Sequence, residues 1–151
     1  TLKTHYPFYG VYYGQLGFST QTCEKVNYDK LILATSIVSI YEYSGEEGEQ
    51  PGVYDIEKLT GMDAYNVFLS GVNPLITIEN PNNKTGKELI IFRDSIASSL
   101  TPLLIEEYSK ITLIDLRFVS YKSIGEYVDF NTQDVLFIYS TLVINNSDML
   151  R

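Results

Sequence analysis

The sequence predicts an α/β fold, and three observations carry that prediction. Short runs rich in β-branched and aromatic residues recur at 88–92, 111–115 and 135–139, as expected of strands buried on both faces. The stretches between them place apolar residues at helical spacing. The first two runs break off in polar residues, Arg93-Asp94-Ser95 and Asp115-Leu116-Arg117. Strands alternating with helical crossovers make a parallel sheet, and right-handed crossovers bring the carboxyl ends of the strands to one rim. Ligands in open α/β sheets bind at that rim.

Each element of the predicted βαβαβ core, 87–144, has its own signal. Leu89-Ile90-Ile91-Phe92 is the first strand, and Ile96, Leu100, Leu103, Leu104 and Tyr108 mark the crossover after it. Pro102 cannot sit inside a continuous helix without costing about 3 kcal/mol. Thr101-Pro102 therefore reads as N-cap and first helical residue of a second piece, which leaves 96–100 as a single turn or bent entry. Ile111 to Ile114 is the second strand, and part of 120–130 is expected to be helical. Val135 to Tyr139 is a third buried strand ending in Ser140-Thr141.

Two readings of the first polar strand end stand side by side. Asp94 or Ser95 makes a good N-cap, worth about 1 kcal/mol, and the Ser95 hydroxyl also lies where a ligand would arrive. Asp115 and Arg117 are expected to pair with Arg93 and Asp94 respectively and knit the rim, rather than to act directly in chemistry. Thr141 and Asn145, after the third strand, are placed to donate hydrogen bonds to a substrate.

The N-terminal half is organised differently. Residues 1–17 mix five Tyr and Phe with glycine and Pro7 and follow neither strand nor helix period, so they read as a covering loop packed by its rings, with His5 facing solvent. Leu31 to Tyr43 has strand composition. The Gly- and Pro-bearing acidic stretch 45–52 reads as a hairpin tip, and 53–58 as the returning strand, so that 31–58 forms an antiparallel hairpin insertion. Met62 to Ser70 reads as a short helix closed by Gly71, Leu75 to Ile78 as a strand, and 80–86 as a turn.

Composition narrows the function classes. Lys+Arg 11 against Asp+Glu 19, a net charge of -8, offers no basic stripe for phosphates, so nucleic acid is not an expected partner. One cysteine, Cys23, forbids an internal disulfide, and one Cys with one His cannot build a structural zinc site. No metal site and no cofactor is expected. No apolar run approaches the roughly 20 residues that span a bilayer. The chain begins with Thr1 rather than Met, consistent with an upstream part that would hold any signal or anchor. Asn83-Lys84-Thr85 and Asn145-Asn146-Ser147 match a glycosylation sequon, a pattern too common to weigh.

The ordered series PFYGVYYGQLG, VYDIEKLTG, FLSG, LITIENPN, ELIIFRDS, SLTPLLIEEYSKITLIDLR and DVLFIYSTLVINNS resembles the carboxyl-terminal part of the DHHW family of bacterial proteins. That family is similar to the SGNH-like domains of the alginate O-acetyltransferase group. The resemblance covers nearly the whole chain. It implies one SGNH-like domain fragment over 1–151, with a three-layer, flavodoxin-like sheet and a location outside the bacterial cytoplasm. In SGNH-type enzymes a GDS triplet after the first buried strand presents the nucleophilic serine; the matching triplet here is Arg93-Asp94-Ser95, so Ser95 inherits that position. Arg93 replaces glycine, and its guanidinium is expected to crowd the oxyanion hole or to hold a substrate carboxylate. The Asp-His pair of the family has no counterpart in this chain, and a serine without a base is a poor nucleophile.

Two functions follow. One is an acyl esterase or O-acetyltransferase acting on a cell-envelope polysaccharide or acyl-sugar, with upstream residues supplying acid and base and this fragment inactive alone. The other is a non-catalytic surface module binding glycan or protein through a tyrosine-rich rim.

Overall fold

The computed structural model describes residues 2–8, 24–29, 37–41, 47–48, 52–61 and 63–150; the first four stretches are described as backbone strands only. β1 (Leu2–Phe8) and β2 (Glu24–Asp29) form a two-stranded antiparallel sheet. Part of the expected aromatic loop is therefore strand. Pro7 falls where the register shifts between His5 and Phe8, the kind of irregularity that tolerates proline. Residues 9–17 of that segment, Cys23, and most of the acidic tip at 45–52 lie outside the described residues, as does the side chain of His5.

Among the described residues the main sheet has six strands, in the order β4-β3-β5-β7-β6-β8. These are β3 (Ile37–Tyr41), β4 (Glu47–Gly48), β5 (Leu75–Glu79), β6 (Glu88–Arg93), β7 (Lys110–Ile114) and β8 (Asp134–Ile138). β6 lies between β7 and β8, parallel to both, so the predicted parallel core is present. β5 runs antiparallel to β7 and β3 antiparallel to β5, which makes the whole sheet mixed. The returning strand expected at 53–58 is absent. Ile56–Thr60 is a 3-10 helix, Tyr54 makes a single bridge to Phe68, and β3 instead pairs with β4 and along its length with β5. Alternation in 53–58 is too short to outweigh the burial of Val53, Tyr54 and Leu59 against 64–69.

Strict alternation along β6 sends its side chains to two different cores. Leu89 and Ile91 join Ile76, Ile78, Ile111 and Leu113 beneath the 53–69 segment, Ala97 and Ile105. Ile90 and Phe92 join Leu75, Ile114 and Ile124 on the opposite face. Each such side chain withdrawn from water contributes about 1.5–3 kcal/mol, which fixes the register, because a one-residue slip would exchange the two faces.

The crossovers are shorter than their apolar spacing predicts. After β6 comes α1 (Ala97–Leu100), a single turn, then 3-10 turns at Thr101–Leu103 and Ile105–Glu107. Pro102 breaks the helix as expected. Thr101 does not cap with its side chain; its hydroxyl donates back to the Ala97 carbonyl at 2.8 Å. Of 120–130 only Ile124–Glu126 is helical, as a 3-10 turn. Met62 is outside the described residues, and the helix expected at 62–70 is a 3-10 turn, Ala64–Val67, with the Asp63 carboxylate accepting from the Tyr65 N–H. α2 (Thr141–Asn145) follows β8. β8 itself is not buried as predicted: Val135 and Phe137 are 48% and 64% exposed, and among the described residues β8 is the outermost strand on its side.

Candidate functional site

The carboxyl ends of β6, β7 and β8 converge on one rim, and the turn after β6 is its best-anchored part. The backbone N–H of Asp94 donates to the Ile138 carbonyl at 3.2 Å. The Asp94 carboxylate accepts from the Ile96 N–H at 3.0 Å and, across the sheet, from the Ser140 N–H at 2.7 Å. Asp94 is 2% exposed, so these charge-assisted bonds are sheltered from water and rigid. Asp94 therefore does the turn-closing work that the sequence left open between it and Ser95. The Ser95 carbonyl accepts from the Tyr65 hydroxyl at 3.0 Å and from the Ser98 N–H at 3.1 Å. Ser95 as a residue is half-buried, and its own hydroxyl makes no hydrogen bond among the described residues. A serine spared from capping is one whose hydroxyl remains available to a ligand.

Arg93 does not stand beside that hydroxyl as a rim ligand. It points to the opposite side of the turn and is fully buried. Its Nη1 donates to Ser98 Oγ at 3.3 Å and its Nη2 to the Asn73 carbonyl at 3.2 Å, while Nε has no partner. Burial pushes the guanidinium below its usual pKa, and the Asp115 charge opposes that shift. The expectation that Arg93 crowds an oxyanion hole or holds a substrate carboxylate is thus corrected: strand alternation places it under the sheet's own loops.

The expected pairings of Asp115 and Arg117 are corrected as well. The two residues pair with each other, Nε to Oδ1 at 2.9 Å and Nη2 to Oδ2 at 2.6 Å, and the Arg117 N–H adds a bond to Oδ1 at 3.1 Å. This two-pronged geometry is the strong form of an ion pair. It raises the Arg117 pKa, chiefly through the hydrogen bond to Asp115. Proximity in sequence won over the cross-strand pairing because two residues past a strand end can fold back on their own carboxylate. Thr141 and Asn145 are exposed on α2, and it is Ser140 that caps this helix, its Oγ accepting from the Val143 N–H at 3.3 Å.

Three contributors were not singled out by sequence reasoning. Tyr139, directly after β8, has a buried hydroxyl without a hydrogen-bond partner among the described residues. Burial, then the charges of Asp115 and Asp94, push its pKa up to about 12. Its position at the polar end of a strand was the available signal, of the same kind that marked Arg93-Asp94-Ser95. Tyr65 reaches the turn from 30 residues upstream, and nothing local announces it. The third is the turn before β5. Leu69, Ser70 and Gly71 all have positive φ, at 55°, 56° and 90°, a conformation costing non-glycine residues about 1–2 kcal/mol each. It is held by Ser70 Oγ donating to Asp55 at 3.0 Å, the Leu69 N–H to the Val53 carbonyl at 3.0 Å and Asn73 Nδ2 to the Leu69 carbonyl at 3.1 Å. The turn delivers the Asn73 carbonyl to Arg93 and the Pro74 carbonyl to the Asp115 N–H at 2.9 Å.

A cleft of about 280 Å³ lies at the opposite, amino end of β6 and β7, lined by Glu88, Lys110, Thr112, Tyr127 and Gln133 among others. It is the length of a strand away from Ser95. Among the described residues no group of three or more His, Cys, Asp or Glu is arranged to hold a metal ion, and no helix is long and apolar enough to cross a membrane.

Fold and rim together define a mixed-sheet α/β protein with an uncommitted serine at the carboxyl end of a central parallel strand. Its likenesses among solved structures concern the fold. The chain is similar to a DHHW family protein from Eubacterium siraeum, with a TM-score of 0.72 at 22% identity over 95% of this chain and 48% of the other. It is also similar to Bacillus cereus PatB1, in a structure with a sulfonyl adduct at a TM-score of 0.68 and in another at 0.64, both 22% identical over the whole of this chain. The chain spans about half the length of these proteins, 48–50%. No family model and no curated protein matches it.

Proposed function

We propose that this chain is the serine-bearing part of an acyl-transfer enzyme, an esterase or O-acetyltransferase of SGNH type acting on a polysaccharide of the bacterial cell envelope. The observation that carries the reading is the division of labour in the turn after β6. Asp94 closes the turn, and the Ser95 hydroxyl, at the carboxyl end of a central parallel strand, is left without a structural duty. Support also comes from similarity of fold to Bacillus cereus PatB1, which is known with a sulfonyl adduct; sulfonyl groups are taken up by nucleophilic side chains.

In the proposed reaction the Ser95 oxygen attacks an acyl carbonyl while a base removes the hydroxyl proton. The bond from the acyl carbon to its leaving oxygen breaks, and the leaving oxygen takes up the proton. A sugar hydroxyl or water then attacks the acyl-serine ester and frees Ser95. The chain's one histidine, His5, is on β1 in the separate two-stranded sheet. The proposal places the base in polypeptide outside these 151 residues and, on the DHHW resemblance alone, the site in the extracytoplasmic space.

The test is hydrolysis of p-nitrophenyl acetate by the full-length gene product, by its Ser95→Ala variant and by the 151-residue chain. The reading predicts turnover by the first alone. Equal turnover by the Ser95→Ala variant overturns it, and a folded full-length protein without turnover favours a non-catalytic binding module.

A further inference from the structure

Among the described residues the buried polar side chains Asp55, Arg93, Asp94, Ser98, Thr101 and Asp115 each take part in a side-chain hydrogen bond. Thr112, 6% exposed in the middle of β7, makes none with its hydroxyl. Buried hydroxyls are almost always bonded, so this exception calls for a partner that the described chain does not supply. Thr112 lies beside Ile90 in the parallel register, and both line the cleft at the amino end of β6 and β7. Much of the remaining lining is polar and equally uncommitted. Gln133 Nε2 donates to Glu88 Oε2 at 3.2 Å and to the Asp129 carbonyl at 3.1 Å, and Gln133 Oε1 accepts from the Asn131 N–H at 2.7 Å. These bonds fix one wall. They leave Glu88 Oε1, the Asp129 carboxylate, the Lys110 ammonium and the Tyr127 hydroxyl without hydrogen bonds among the described residues.

We propose that this cleft binds a single sugar ring, as a carbohydrate subsite separate from the serine rim. Its volume of about 280 Å³ is at the small end of ligand clefts, which run from roughly 300 to 1,000 Å³, and takes one ring rather than a chain. The uncommitted groups are of both kinds: the carboxylates accept, the ammonium donates, and the hydroxyls of Thr112 and Tyr127 do either. A sugar hydroxyl is itself donor and acceptor, so neighbouring hydroxyls on one ring satisfy carboxylate and ammonium together. Two carboxylates against one ammonium disfavour an anion. An apolar ligand would strip water from these groups and return no hydrogen bonds. A hard metal ion needs more oxygen ligands than two carboxylates bring, and the ammonium repels it. Ile90 and the Tyr127 ring add apolar surface for the C–H face of the sugar. The cleft is at the end of the sheet away from Ser95, so the subsite stands whether or not Ser95 carries an acyl group.

Saturation-transfer NMR of the full-length gene product with glucose tests this without reading any turnover, so its outcome is separate from that of the acyl-transfer reading. Glucose is expected to bind in the millimolar range, glucuronate about tenfold more weakly or worse, and cyclohexanol, a ring with one hydroxyl, not at all. Asp129→Ala, at an exposed position, should weaken glucose binding about tenfold, and Thr112→Val, which keeps the shape of the side chain, about fivefold. Both variants should keep the circular dichroism of the wild type, and Ser95→Ala should bind glucose as the wild type does. No saturation of glucose by the folded full-length protein overturns the proposal. So does binding that is unchanged in both Asp129→Ala and Thr112→Val, which puts the sugar elsewhere, and so does cyclohexanol or glucuronate binding as well as glucose.

Discussion

The turns after β6 and β8 are equivalent in the sheet and opposite in use. Arg93 is in register with Ile138, so Asp94 corresponds to Tyr139 and Ser95 to Ser140. After β8 the serine does structural work, capping α2 through its hydroxyl, and Tyr139 leaves its own hydroxyl buried and unpaired. After β6 the carboxylate does the structural work for both turns, and the serine is released from it. The comparison teaches that a strand-end serine becomes available for chemistry when its neighbour takes over the orphan N–H groups.

Breaking that arrangement is expected to matter in a definite order. Asp94→Ala removes the acceptor of two N–H groups and unties the two turns, and should cost about 3 kcal/mol of stability, measured by urea denaturation. Gly71→Ala attacks the wall that supports Arg93. A Cβ there meets Asn66 Oδ1 at 2.5 Å in a backbone with φ of +90°, and a loss of about 2 kcal/mol is expected. Ser140→Ala removes a helix cap and should cost about 1 kcal/mol. Ser95→Ala should shift the urea midpoint least, within about 0.5 kcal/mol; a loss as large as that of Ser140→Ala would show that Ser95 has a structural duty after all.

Tyr139, the counterpart of Asp94, sharpens the comparison spectroscopically. Phenolate absorbance of the wild type minus that of Tyr139→Phe should rise near pH 12 rather than near the ordinary value of about 10. The unfolded chain releases this proton first, so the contribution to stability is whole below pH ~10 and is lost as the pH climbs toward 12. A step near 10 would mean that the hydroxyl is solvated.

Much of this was legible in the sequence because burial on both faces leaves a dense signature. Leu89 to Phe92 and Ile111 to Ile114 read as strands, and their polar ends marked the rim. β8 carried the same signature and is an outer strand among the described residues, since composition reports burial and not which strands lie side by side. Pairings were harder to read. Asp115 chose Arg117 over Arg93, and Tyr65 and Asn73 arrive from other parts of the chain, where no local pattern encodes the destination. Arg93 misled for a simple reason: a charged residue next to a candidate nucleophile suggested the rim, while strand alternation sent it inward.

The central claim is that Ser95, and not its counterpart Ser140, is the acyl-carrying residue. Labelling the full-length gene product with a fluorophosphonate probe and mapping the adduct by peptide mass spectrometry tests it most directly. The account predicts a single adduct on Ser95, lost in Ser95→Ala and retained in Ser140→Ala; an adduct on Ser140, or none in the folded protein, would contradict it.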